Sequence, residues 1–171
     1  MAPPFQAADL RQFQTTGLSG EVAREGPLRA FPWILNSSGQ ANVIGFAYTK
    51  VADGEAQVGG DISAGAEFVG IMIRPKEHAL VGVGASALTP TNSLADAVVA
   101  QMCDMGILYV QLDDTSVQAV AGAVGTALFF DDTTGAVAAG TAGAGESVIP
   151  NARIVIEDVA DDGLAIVSLT N

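Results

Sequence analysis

Turn residues recur about every ten residues from Ala41 to the end of the chain, and this spacing constrains the fold more than any other feature. Glycine, proline, asparagine and aspartate interrupt most apolar runs before they reach the length of an ordinary helix. Short apolar runs between turns are typical of barrels and sandwiches. We therefore predict an all-β (mainly β) fold, with a small barrel or sandwich body of short antiparallel strands, an extended N-terminal arm and at most one or two short helices.

The composition agrees with short strands. Of the 171 residues, 49% are apolar, only 15% are charged and 20 are glycine. A chain of this length buries a sufficient core without disulfides or metal ions, so a single domain accounts for it. Within it we expect an extended N-terminal arm over residues 1–40 and a β-rich body over residues 41–171.

The centre of the body is predicted at Phe68–Gly84, where two apolar runs flank a charged corner. Pro75 biases Arg74 toward extended geometry, so the first strand ends or bends there. The segment Ser93–Met102 stays open, because Ser93 fits a helix N-cap and the same residues fit a strand. Further strands are predicted at Ala41–Val51, Ala56–Gly60, Ile107–Leu112, Thr126–Phe130, Ala136–Ala139, Arg153–Val159 and Leu164–Leu169.

The arm spreads its apolar anchors among glycines and prolines, so no helix of useful length fits after Gly17. Such a segment packs either on its own body or across a neighbouring subunit or shell. Aromatic residues and arginine dominate interface energies, so we predict that part of the arm binds a partner surface. The predicted interface residues are Phe5, Leu10, Arg11, Phe13, Arg24, Arg29, Phe31, Trp33, Arg74 and Lys76.

Charge is distributed unevenly along the chain, whose net charge is −12. Six of the seven basic residues precede residue 77, where seven acidic residues nearly balance them. From Glu77 onward, Arg153 is the only basic residue against twelve acidic ones. Phosphate binding requires clustered cations, so we expect no nucleic-acid partner. The front half can lie on an acidic protein surface while the rest stays solvated.

Few side chains are suited to chemistry. A single cysteine, Cys103, excludes an internal disulfide and is predicted to be a small buried hydrophobe, and a single histidine, His78, excludes a His/Cys zinc site. Three aspartate pairs, Asp113-Asp114, Asp131-Asp132 and Asp161-Asp162, fall where turns are expected, and turn aspartates bond to their own backbone. We therefore predict no catalytic residue, no metal site, no cofactor and no enzymatic activity.

The chain shows no targeting or membrane segment. Its first residues lack a basic stretch followed by an apolar one, so no signal peptide is predicted. The longest apolar stretch, Ala97–Leu112, is interrupted by polar residues and is shorter than the ~20 residues of a membrane span. We expect a soluble protein that is made in a cytoplasm and has no membrane partner.

Short motifs follow one another in a characteristic order: Phe68–Ile71, Arg74–Ala79, Gly82–Gly84, Met105–Val110, Asp131–Gly135, Pro150–Arg153 and Gly163–Val167. In this order they resemble the structural cement (capsid decoration) proteins of tailed bacteriophages. The resemblance extends over roughly residues 17–170. The stretches Met102–Met105 and Ala136–Gly145 depart from the family pattern, which leaves the strand register after residue 100 open.

The resemblance implies a non-enzymatic virion protein that decorates the outer surface of an icosahedral capsid and clamps neighbouring major capsid subunits. It implies synthesis in the host bacterial cytoplasm, and as partners the major capsid protein and further copies of the chain in a homotrimer. Two alternatives come from the residues alone. One is a calcium- or carbohydrate-binding β-module that uses the aspartate turns, and the other is a small hydrolase built on His78.

Overall fold

The computed structural model of the chain describes residues 17–24, 26–74, 92–113, 124–157 and 163–170, and these form strands and turns without a helix. The all-β prediction is therefore confirmed. No described segment could span a membrane as a helix. The strands are β1 (Arg29–Leu35), β2 (Asn42–Val43), β3 (Ala47–Ala52), β4 (Glu55–Val58), β5 (Phe68–Met72), β6 (Ser93–Leu94), β7 (Val99–Gln111), β8 (Ala127–Asp131), β9 (Val137–Ala139), β10 (Glu146–Glu157) and β11 (Leu164–Thr170).

Several hairpins predicted from the sequence are present in the structure. The hairpin predicted around Asp53-Gly54 is β3 with β4, the hairpin around Asp131–Gly135 is β8 with β9, and β10 pairs antiparallel with β11. The helical interpretation of Ser93–Met102 is wrong. Those residues form β6, a turn and the start of β7, because their backbone pairs with β2 and β1, which are distant in sequence and which local propensity does not take into account. The corner predicted after Arg74 lies in residues 75–91, outside the described residues.

Five strands close into a ring. β1 pairs with β4, β4 with β3, β3 with β5, β5 with β7, and β7 with β1 again. The β1–β4 pairing is parallel and short, with Ile34 opposite Glu55 and Leu35 opposite Ala56. Ring closure satisfies both edges of a strand, which is the advantage that barrels have over open sheets.

A second group of strands continues from β7 through β11, β10 and β8 to β9. An isolated bridge between Leu112 and Val137 connects its last strand back to the end of β7. β7 therefore belongs to both groups: its first half pairs with β1 and β5, and its second half pairs with β11. We call the two groups the first ring and the second ring.

β7 bends between its two halves. A straight strand would separate Gln101 from Tyr109 by about 26 Å. A second path of backbone hydrogen bonds also connects the carbonyl oxygens of these two residues. Ile73 N–H donates to the Gln101 carbonyl at 3.0 Å, and Arg74 N–H donates to the Gly20 carbonyl at 2.8 Å. Gly20 N–H in turn donates to the Tyr109 carbonyl at 2.8 Å. That path spans at most roughly 16 Å, so β7 cannot be straight over this stretch.

The bend coincides with an irregular pairing and a close backbone approach. Between β1 and β7 the register shifts, since Arg29 lies opposite Met105 but Ala30 lies opposite Cys103. Gly70 of β5 has a φ of +143°, and a Cβ there would lie 2.6 Å from the carbonyl oxygen of Cys103. Only glycine combines that conformation with that proximity, so it allows β5 to approach the bent strand.

The buried side chains form two clusters that share strands. The inner cluster lies inside the first ring, and Trp33, Phe46 and Leu94 pack against it; its buried members are Leu35, Ile44, Tyr48, Ala56, Val58, Val69, Met72, Ala100 and Met102. The larger outer cluster joins the opposite faces of β3 and β5 to the second ring. β5 and the first half of β3 therefore contribute buried side chains to both clusters, as β7 does, which explains why β5 carries no polar side chain.

Candidate functional site

Residues 17–35 run antiparallel to β7, and we call this segment the strap; Glu25 within it lies outside the described residues. Gly20 N–H donates to the Tyr109 carbonyl at 2.8 Å, and Ala23 N–H donates to the Ile107 carbonyl at 2.8 Å. The end of the strap is β1, which pairs with the first half of β7. The described part of the predicted arm thus packs on its own chain, while residues 1–16 lie outside the described residues. The division into residues 1–40 and 41–171 stays a prediction.

The strap keeps large apolar side chains in solvent although its backbone is bonded to β7. Leu18 is 54% exposed, Val22 43%, Leu28 47%, Phe31 49% and Ile34 43%. These five are more than half of the exposed large hydrophobic residues among the described ones, of which the others are Val51, Val99, Val124 and Val148. Several large apolar side chains left exposed along one segment make it a candidate interaction surface.

Arg29 is one of the predicted interface residues, and its side chain is held in place by an acidic neighbour. Its Nε lies 2.9 Å from Asp104 Oδ1, and its Nη2 lies 2.7 Å from Oδ2. The hydrogen bonds to Asp104 raise the pKa of Arg29 above its ordinary value. The guanidinium carbon also lies 6.0 Å from the centroid of the Phe31 ring. The pair positions a cation beside a half-exposed aromatic ring, which suits a protein contact.

Trp33, two residues beyond Phe31 on the same face of β1, packs instead against the inner cluster. Its indole Nε1 is buried and has no hydrogen-bond partner. Trp33 therefore fills the first ring with most of its side chain. A buried indole N–H normally finds an acceptor, so the unpaired Nε1 is an unsatisfied polar group of this site.

The two remaining described cations of the predicted interface differ from each other. Arg74 donates from Nη2 to Asn92 Oδ1 at 2.9 Å, its Nε lies 4.0 Å from Glu21 Oε1, and its side chain is only 22% exposed. It connects the end of β5 to the strap. Arg24 is exposed on the strap itself. Phe5, Leu10, Arg11, Phe13 and Lys76 lie outside the described residues, so their interface role stays a prediction.

Sequence reasoning missed Ile34 and Val99 as surface residues. They lie opposite each other in the β1–β7 pairing, and both are about half exposed, at 43% and 53%. Nothing local identifies them, because each is an ordinary β-branched residue in an apolar run. Their proximity depends on a pairing between segments that are 65 residues apart.

Two of the residues considered for chemistry, Cys103 and Asp131, have structural roles. Cys103 is fully buried, and burial raises the pKa of its thiol to about 11, so it is the predicted small hydrophobe. The Asp131 carboxylate accepts hydrogen bonds from Thr133 N–H at 2.9 Å and from Thr134 N–H at 2.7 Å, as a turn aspartate does. Among the described residues no three His, Cys, Asp or Glu side chains gather as a metal site. His78 lies outside the described residues.

Comparisons with known proteins give one family and one fold. The family described as "Structural cement protein (E217 gp24/Pam3 gp6)" matches residues 5–170. A chain in the solved structure "The capsid of Myoviridae Phage XM1" is similar with a TM-score of 0.62 and 15% sequence identity, and the alignment covers 90% of this chain and 90% of that chain. No curated protein matches. At this identity the structural likeness shows the fold.

Proposed function

This chain belongs to the structural cement protein family, a family of phage structural proteins, and from that premise we propose that it decorates the outer surface of an icosahedral capsid. In this proposal the protein clamps neighbouring major capsid subunits and stabilises the shell without catalysing a reaction. It acts as a homo-oligomer, a trimer, and its site of action is the virion after synthesis in the host cytoplasm. The family match over residues 5–170 is the observation that carries the proposal.

The strap supports this proposal because it combines exposed apolar side chains with a firmly held backbone. Leu18, Val22 and Leu28 are between 43% and 54% exposed on a segment that is hydrogen-bonded to β7 through the backbone of Gly20, Glu21 and Ala23. A surface that is ordered before binding loses little conformational entropy on association. In the proposal, the strap and residues 1–16 ahead of it lie on the shell.

Charge supports the orientation of the molecule on the shell. The acidic residues from Glu77 onward outnumber the single arginine by twelve to one, whereas charges before residue 77 nearly cancel. Concentrated like charge favours solvent and repels other acidic surfaces. In the proposal the strap faces the shell, and the acidic residues that lie away from the strap face outward.

Stabilisation follows from mass action. When a protein binds the assembled shell more tightly than it binds free capsid subunits, its binding free energy lowers the free energy of the shell relative to the free subunits. Contacts from several linked copies raise one another's effective concentration. Many modest contacts therefore suffice, and no reactive group is needed.

The experiment compares binding to isolated, undecorated shells by sedimentation of the shell with the added protein. We expect the double variant Leu18→Asp/Val22→Asp to bind at least about tenfold more weakly than the unmodified chain, because two carboxylates would have to be desolvated at the contact. The matched control is Val124→Asp, since Val124 is 67% exposed and lies outside the strap. The control should bind as the unmodified chain does.

The same comparison can contradict the proposal. Full occupancy of the shell by the strap variant, with an unchanged thermal unfolding temperature, would exclude the strap as the contact. Equal losses for the strap variant and for Val124→Asp would mean that added negative charge, and not the strap, determines binding. No binding by the unmodified chain would overturn the proposed function itself.

A further inference from the structure

The turn at the start of the strap occupies a narrow slot in the rest of the chain. Ser19 and Gly20 are its two central residues and are buried, whereas Leu18 before them and Val22 beyond them are 54% and 43% exposed. Glu21 N–H donates to the Leu18 carbonyl at 2.9 Å, which closes the turn. The walls of the slot come from the β2–β3 connection, the end of β5 and the second half of β7; they are Ile44, Gly45, Met72, Arg74, Tyr109 and Gln111.

Gly20 is held in the slot from two sides. Its N–H donates to the Tyr109 carbonyl at 2.8 Å, and its carbonyl accepts from Arg74 N–H at 2.8 Å. Its φ is +82°, and a β-turn with a positive φ at its third residue favours glycine there. A Cβ at this position would also overlap Ile44 Cγ2 and lie 3.0 Å from the Met72 carbonyl oxygen. A residue with a side chain therefore cannot take this position while the slot keeps its shape.

Ser19 fits the slot as closely as Gly20 does. Its Oγ accepts a hydrogen bond from Gln111 N–H at 3.1 Å. The wall beside it is Gly45, whose φ is +86° and where a Cβ would overlap Ser19 Oγ. Gly45 N–H donates to the Met72 carbonyl at 2.8 Å, so this wall is itself fixed to β5. The slot thus holds the turn through contacts from three separate parts of the chain.

We infer that Gly20 is a positioning residue for the shell contact: seated in the slot, it fixes where the strap presents Leu18 and Val22. These two exposed side chains lie two residues before and two residues after Gly20. If Gly20 leaves the slot, its neighbours must be ordered again when they bind, and ordering a backbone costs conformational entropy. The inference rests on the proposed function, because the contact that Gly20 positions is the proposed contact of the strap.

Gly20→Ala in the full chain tests the inference. The matched control is Gly26→Ala, since it makes the same change within the strap at a position where a Cβ would have no atom within 4 Å. Gly20→Ala should speed the hydrogen exchange of Ala23 N–H, which is bonded to the Ile107 carbonyl. It should also weaken binding to undecorated shells, measured by sedimentation, at least about tenfold. Gly26→Ala should change neither.

A double-mutant cycle separates positioning from a general loss of stability. In the Gly20→Ala background, Leu18→Asp/Val22→Asp should weaken binding by much less than the factor of about ten that it costs the unmodified chain, because the strap is already displaced. Additive losses would mean that Gly20 acts on something other than the strap contact, and they would overturn the inference. Normal shell binding or unchanged exchange in Gly20→Ala would overturn it as well.

Ser19→Ala decides the question if thermal unfolding shows that Gly20→Ala does not fold. This milder change removes only the acceptor of Gln111 N–H, and it should weaken shell binding about two- to tenfold with faster exchange at Ala23. Unchanged binding and exchange would overturn the inference. No binding by the unmodified chain would overturn the proposed function and the inference with it, whereas full binding by both the unmodified chain and Gly20→Ala would overturn the inference alone.

Discussion

The first ring and the second ring use different interactions to enclose their clusters. The inner cluster of the first ring contains Tyr48, two methionines and the ring of Trp33, and buried polar groups close one of its ends. The outer cluster consists of aliphatic residues, Cys103 and Phe130, whose ring centroid lies 6.2 Å from that of Phe68. The first ring therefore depends on a specific set of hydrogen bonds, and the second depends mainly on apolar packing and backbone pairing.

The hydrogen bonds of the first ring connect segments that are distant in sequence. Ser37 Oγ donates to Asn42 Oδ1 at 2.6 Å and accepts from Val58 N–H at 2.8 Å, while Asn42 Nδ2 donates to Asp96 Oδ1 at 2.8 Å. Ser37 N–H donates to the same carboxylate oxygen at 3.0 Å. Ser37 and Asn42 are buried, so a network that satisfies them favours one arrangement of the chain, because any other leaves them unpaired.

The largest expected effects come from removing buried side chains, and they test whether the two rings unfold separately. Phe130→Ala should lower the free energy of unfolding by about 3–5 kcal/mol, and Met102→Ala by about 2–5 kcal/mol. Because β3, β5 and β7 contribute to both clusters, each variant should shift the same single transition in urea, observed by fluorescence and by circular dichroism. Two transitions, with each variant moving only one, would mean that the rings are independent units.

A smaller effect is expected from the hydrogen-bonded network, which distinguishes the first ring from the second. Asn42→Ala should lower the free energy of unfolding by about 1–3 kcal/mol, because Ser37 and Asp96 each lose a partner. The control is Asn36→Ala, since Asn36 is exposed and bonds only to Glu55. Urea unfolding should separate the two variants clearly. Equal losses would mean that the buried network contributes no more than an exposed hydrogen bond.

The smallest effect concerns pH, and it compares one carboxylate from each ring. Hydrogen bonds from Ser37 and Asn42 lower the pKa of Asp96 below its ordinary 3.8. The pKa of Asp131 is also lowered, because hydrogen bonds from Thr134 and Thr133 outweigh the opposing effect of desolvation. A lowered folded pKa stabilises the protein above the ordinary value, and this stability is lost as the pH falls below 3.8 and through the folded pKa.

The donors to Asp96 come from 54 and 59 residues away, whereas those to Asp131 lie within its own turn and can persist in the unfolded chain. Asp96→Asn should therefore flatten the acid side of the stability curve more than Asp131→Asn does. Urea midpoints measured from about pH 7 to pH 3 check this. An unchanged acid slope in Asp96→Asn would show that this carboxylate does not distinguish the rings.

The predictable parts of the fold are those with local causes. Asp53-Gly54 and Asp131–Gly135 each specify a turn, and the flanking runs then pair as hairpins. The family resemblance, which rests on short motifs in a fixed order along the chain, is likewise confirmed by the family match over residues 5–170. β1 was not predicted as a strand, since Pro27 and Pro32 in a segment of scattered anchors indicate irregular chain. Its pairing with β7 is determined by contacts about 70 residues away.

The candidate site likewise contains residues that the sequence identifies and residues that it does not. Phe31 and Arg29 could be named from residue type alone, and both lie at the surface of the strap. The exposure of Trp33 could not be inferred, because it depends on the inner cluster that the ring closes around it. Ile34 and Val99 become neighbours only through the β1–β7 register, which no single segment encodes.

The antiparallel course of the strap along β7 also determines how the protein responds to mechanical load. A pull directed along the strap acts parallel to β7, and the hydrogen bonds of an antiparallel pair lie perpendicular to the strands. Such a pull shears many bonds at once, whereas a pull across the pair would open them one after another. If the strap holds the protein on a shell, as proposed, a load along the strap would meet this attachment in its most resistant direction.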